Sequence, residues 1–177
     1  PAAEASLVVV GAVDFVVVQL SESAPDRPVA ECLAMLGVRA ARFGELFAGG
    51  RLEPGLDKHI DFCDGMPVNA VLLVLGAVVD DQLPSSRLRA WAVAEVIATM
   101  LPTWAALVVA GEDSVGRHRR LVSADRLDRD WLDVGLTDVP GHPGLRGRAT
   151  LFRYLSDAHA ELRGAAEQVL TVEAGGG

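Results

Sequence analysis

Cysteine, tyrosine and positive charge are scarce in this 177-residue chain, and each scarcity removes a class of protein. Only Cys32 and Cys63 could form a disulfide, which is too few for the dense staples of a small secreted scaffold, so reduced thiols in the cytoplasm are the simpler expectation. Tyr154 is the sole tyrosine, and aromatic residues make up 5% of the chain. Sixteen Lys and Arg face 24 Asp and Glu, and the formal charge of -8 disfavours field-driven association with nucleic acid or an anionic membrane. No apolar run has the length and flanks of a spanning helix: Leu7–Leu20 is interrupted by Asp14 and lacks a basic leader, and Ala70–Val79 is too short. Neither a membrane nor a nucleic-acid partner is expected. Internal repeats and coiled-coil heptads are also missing.

What is present is apolar mass. Half of the residues are hydrophobic and 23% are charged, enough to offset the entropy of ordering the backbone. The length suits one domain spanning residues 1–177, with a Gly-rich, flexible C-terminal tail expected at 173–177. The run Leu7–Leu20 is rich in β-branched residues, and Gly11-Ala-Val-Asp14 reads as a tight turn between two strands. Val29, Cys32, Leu33, Leu36 and Val38 predict a helix weakened at Gly37, followed by a short helical segment through Phe43 and Phe47. Gly49-Gly50 marks a break, Pro54–Phe62 a further short helix and Asp64-Gly65 a turn.

The strongest pattern follows. Ala70–Val79 is almost continuously apolar, as a strand covered on both faces would be, and Asp80-Asp81-Gln82 ends it abruptly. Beyond Pro84, Ser85 or Ser86 can cap a helix running to Leu101, and Pro102 stops it. Trp104–Ala110 then reads as a second buried strand. Strand, helix and strand within about 40 residues make a βαβ crossover the economical arrangement. Downstream, Gly111–Asp130 is polar, Trp131–Leu136 is apolar, Pro140–Gly147 is a Pro/Gly-rich separator, Ala149–Leu155 is a candidate strand and Asp157–Leu170 a candidate helix.

This layout of strand, short polar loop, helix, returning strand and later Val134-Gly135-Leu136 segment resembles the acyl-CoA-binding half of the GNAT N-acetyltransferase superfamily, over roughly Leu7–Leu155. The resemblance implies an α/β fold with a GNAT-like mixed central sheet flanked by helices. It also implies an acyl-CoA whose pyrophosphate sits on backbone amides at a helix start. The matching positions are Ser85, Ser86, Arg87, Leu88, Arg89 and Ala90. Ser85 stands where the family has Arg or Gln, Leu88 replaces the central glycine, and Ala90 keeps the small final residue. Trp131 occupies the place of a tyrosine that protonates the departing thiolate in the family, and indole is not a phenolic acid.

Asp80 and Asp81 follow the buried strand, where a carboxylate can enter a sheet-end pocket and assist deprotonation of an amine. Their bland alternative is a solvated strand end. The helix at Ser86 is equally readable as a serine-capped packing helix with two outward arginines. Cys63 reads as a partly buried thiol or a nucleophile, and Tyr154 as a packing residue or a proton donor. His59, Asp61, Cys63 and Asp64 have metal-capable side chains without the spacing of a closed site, so no metal is expected. Arg117, His118, Arg119 and Arg120, and the scattered Arg146, Arg148 and Arg153, define no ligand.

Two functions stay open. One is acyl transfer from acetyl-CoA or another acyl-CoA to an unknown amine. The other is a noncatalytic or repurposed GNAT-like protein binding a small molecule or a protein, with no cofactor at all. A homodimer is plausible for either.

Overall fold

Ten consecutive apolar residues build the centre of the molecule. The structure is a computed structural model that describes residues 11–20, 26–59, 62–63, 65–80, 87–101, 105–111, 124–150 and 153–166. The first described strand, β1, is Gly11–Gln19. A helical layer follows: α1 (Val29–Leu36), α2 (Val38–Ala41), a 3-10 turn at Gly44–Leu46, a hairpin of β2 (Phe47–Ala48) and β3 (Arg51–Leu52), and α3 (Pro54–Asp57). Then come β4 (Ala70–Val79), α4 (Arg87–Met100), β5 (Ala106–Gly111), α5 (Ala124–Asp133), β6 (Thr137–Asp138), β7 (Leu145–Ala149) and α6 (Tyr154–Ala166).

Among the described residues the sheet is mixed, with five strands in the order β1-β4-β5-β7-β6. Of these described pairings only β4 with β5 is parallel, and α4 is their crossover. Side-chain alternation along β4 divides the core. Ala70, Leu72 and Val74 pack against α4, α5 and α6, whereas Val71, Leu73 and Leu75 face α1, the 3-10 turn, α3 and the Phe62–Cys63 segment. A strand covered on both faces has no polar side to present, which is why β4 reads as a continuous apolar run. A mixed α/β fold with helices on both faces is the result.

The expected β4, α4 and β5 all form, within two residues of the boundaries drawn from sequence. Four other expectations change. Gly11–Asp14 is no turn, because Gly11 to Gln19 is a single strand paired antiparallel with β4. A Cβ on Gly11 would lie 2.6 Å from the Val78 carbonyl oxygen, so this glycine serves a close strand approach. The irregularity near Asp14 is a bulge: Asp14 opposes Gly76 and Phe15 opposes Val74, leaving Leu75 as the extra residue.

Second, the last strand is Leu145–Ala149 rather than Ala149–Leu155, and Tyr154 begins α6. The Pro/Gly-rich separator conceals it, since Gly147 is there to let β7 approach: a Cβ would meet the Val108 carbonyl oxygen at 2.7 Å and the Phe62 ring at 3.0 Å. Third, the helical segment through Phe47 is only α2 and a 3-10 turn, and Phe47 itself opens the β2–β3 hairpin, whose turn carries Gly49 at φ 69°. Fourth, the helix expected over Pro54–Phe62 is the single turn of α3. The expected tail at 173–177 lies outside the described residues.

Candidate functional site

The two parallel strands part company at their carboxyl ends. Their pairing runs from Ala70/Ala106 to Val74/Ala110 and stops there. Beyond it β4 continues to Val79 on β1, while β5 turns its last residue, Gly111, to Leu145 of β7. The bulge at Leu75 falls at the same level, and the inward phase of β4 changes from Val74 to Ala77 across it. In open α/β sheets ligands bind outside the carboxyl ends of the strands, and bulges re-aim side chains next to such sites.

Charged groups lie on the elements that leave this divergence or against its edge. Asp80 is exposed at the end of β4. Arg87 opens α4 and is half-exposed, with its Nε 4.0 Å from Asp133 Oδ2. From the opposite layer, Arg42 lays its guanidinium over Gly111: a Cβ at that glycine would meet Arg42 Cζ at 2.6 Å and Nη1 at 2.7 Å. The same guanidinium lies 5.8 Å from the Phe43 ring centroid. Sequence reasoning did not single out Arg42. Its only trace there is the glycine closing an apolar strand 69 residues downstream.

The other positions drawn from sequence have varied surroundings. Leu88 is buried, and Ala90 packs in the core against the sheet. Arg89 Nη1 donates to Asp130 Oδ2 at 2.6 Å, with the two side chains 17% and 10% exposed. That pair joins the first turn of α4 to α5. Asp81, Ser85 and Ser86 lie outside the described residues. Trp131 is fully buried on α5, and its indole N–H has no hydrogen-bond partner among the described residues. Gly135, at φ 91°, turns the chain after it, because a Cβ there would meet the Tyr154 carbonyl oxygen at 2.9 Å. Tyr154 is exposed, and the Arg148 guanidinium stacks 4.1 Å from its ring centroid.

The chemistry considered around Cys63 also resolves. Its thiol is buried, and desolvation, reinforced by the negative charge of Asp57, pushes it up to about 12 from an ordinary 9.0. A neutral thiol is a poor nucleophile. Because the folded-state value is raised, stability tied to this neutral thiol is complete below the ordinary thiol range and is lost only as pH rises towards 12. Cys32 is exposed on α1. At pH 8 the native chain is therefore expected to titrate one thiol rapidly with a disulfide reagent and two after unfolding; two fast thiols in the native state would contradict this placement. Asp61 and Asp64 lie outside the described residues, and no three metal-capable side chains gather among those described.

A concavity of about 620 Å³ opens elsewhere, between β1 and the α1–α2 joint, with Asp14 and Arg39 among its lining residues. Its volume is in the range of small-ligand sites, although it is an open groove. Comparison of the chain with protein-family models, with curated proteins and with solved structures finds no match.

Proposed function

We propose that the chain is a divergent GNAT-like N-acyltransferase that takes an acyl-CoA at the diverging carboxyl ends of β4 and β5 and delivers the acyl group to an amine. The observation that carries this reading is the end of the β4–β5 ladder at Val74/Ala110, on the strand that runs on to Val79 and precedes α4 in the chain. Supporting groups are few. Arg87 at the start of α4 suits a phosphate, as does the helix start itself, and Arg42 adds positive charge from the other layer. Asp80, exposed at the end of β4, is the carboxylate that this reading assigns to receive a proton from the amine. Arg89 does not fit as a phosphate ligand while it serves Asp130, and Leu88 is a buried side chain where the family has glycine.

These same two facts favour a second reading, a noncatalytic GNAT-like protein that binds a small molecule. A buried Trp131 supplies no phenolic acid, and Tyr154 is committed to Arg148 at the far end of β7 from Leu145.

Calorimetric titration with acetyl-CoA and longer acyl-CoAs, followed by a product assay over a panel of amines, separates them. The acyltransferase reading expects saturable binding, a loss of about tenfold in affinity for Arg87→Ala, and acylated product. Binding without product supports the second reading. No binding to the folded chain removes the acyl-CoA proposal. Arg89→Ala is a poor probe here, since its loss unsettles α5 whether or not a ligand is bound.

A further inference from the structure

We propose that the α1–α2 joint and the groove beside it form the interface of a homodimer. Met35, Leu36 and Val38 are 72%, 62% and 90% exposed, a ridge of large aliphatic side chains nearly contiguous in sequence. Gly37 creates the ridge: at φ 115° it ends α1 and restarts the chain as α2, so that Leu36 and Val38 both remain outside the core. Only Leu33 of α1 is fully buried. Leu36 and Val38 also line the groove, together with Val13, Phe15 and Leu75 of the sheet, all three partly exposed. Contiguous exposed apolar surface of this kind marks an interaction site.

The occupant is a second copy of this chain because the patch is complementary to itself. Leu36 and Val38 both protrude and line the groove, so a twofold axis can set this wall of each copy into the groove of the other. The charges follow the same rule. Asp14 and Arg39 sit within the patch, one acid and one base, 3.4 Å apart with side chains 66% and 53% exposed. An ion pair that wet is weak within one chain and free to exchange partners. Across the twofold each Asp14 carboxylate accepts from the other copy's Arg39, and each copy's pair is electrically balanced in a chain whose overall charge of -8 otherwise repels its own kind.

Light scattering behind size exclusion, over a concentration series of the full chain, tests this. The expected mass is twice the monomer's 18.7 kDa, with Val38→Asp shifting dissociation at least 100-fold towards monomer while leaving the thermal melt of the dilute protein unchanged. The charges give an independent readout. Asp14→Lys and Arg39→Glu are each expected to be monomeric alone, and an equimolar mixture of the two variants is expected to form a heterodimer in which both cross-pairs are restored. A monomeric wild type at every concentration, or a dimer indifferent to Val38→Asp, overturns the proposal, and so does a mixture of charge variants that stays monomeric. Sequestration of a small apolar ligand or another protein's segment by a monomeric chain would be read as the first of these results.

Discussion

Arg89→Ala is expected to lower the unfolding free energy by about 3 kcal/mol, a fall in melting temperature of roughly 6–12 °C for a domain of this size. The cost arises less from the lost attraction than from what stays behind. Asp130 is 7% exposed, and without the guanidinium its carboxylate loses a 2.6 Å charge-assisted hydrogen bond in a site too dry for water to replace it in full. The double variant Arg89→Met with Asp130→Leu is expected to recover most of the loss, because the carboxylate that lost its Arg89 partner is removed with it. Thermal unfolding of both variants checks this. If Arg89→Ala melts with the wild type, the guanidinium is not committed to α5 and regains its candidacy as a ligand for an anion.

Trp131→Ala is expected to cost still more, about 3–5 kcal/mol, since the indole is the largest fully buried side chain among the described residues and its removal opens a cavity under α5. Trp131→Phe separates packing from ligand contact. The indole N–H has no partner among the described residues, so phenylalanine forfeits volume without a hydrogen bond there and should cost about 1–2 kcal/mol. Any acyl-CoA affinity should be unchanged in Trp131→Phe at a temperature where it is folded. A large drop in affinity with little loss of stability would instead make Trp131 a stacking platform for substrate.

The centre of this fold is legible from the order of side chains. Ala70–Val79 and Ala106–Gly111 are apolar on both faces, and Asp80, Pro84 and Pro102 punctuate the crossover, so local pattern and tertiary role coincide. Misreadings occur where a glycine serves a neighbouring strand. Gly11 and Gly147 each make room for a carbonyl oxygen of the adjacent strand, Val78 or Val108, yet in one dimension they look like turn residues. The β2–β3 hairpin has two residues per strand, too short for any periodicity.

The candidate site is less legible for a different reason. Arg89 meets Asp130 across 41 positions, and Arg42 meets Gly111 across 69, distances over which composition and spacing carry no pairing information. Arg87 and Arg89 look equivalent on a helix start, two residues apart. The fold gives them different partners: Arg89 is held at 2.6 Å in a dry pair, while Arg87 stays half in solvent, 4.0 Å from Asp133. Similarly, Trp131 at a family tyrosine position could face a substrate or the core, and only the packing of α5 on the sheet decides for the core.

The most direct test of the central claim is a titration of the isotope-labelled full chain with acetyl-CoA, followed by backbone-amide chemical shifts. A ligand seated where β4 and β5 diverge predicts saturable shifts concentrated at Leu75–Asp80, Ala110–Gly111 and the first residues of α4, with Arg42 perturbed from the opposite layer. An unshifted spectrum at about 1 mM ligand, the upper end of ordinary substrate affinities, would contradict that assignment. So would shifts confined to the groove between Val13 and Arg39.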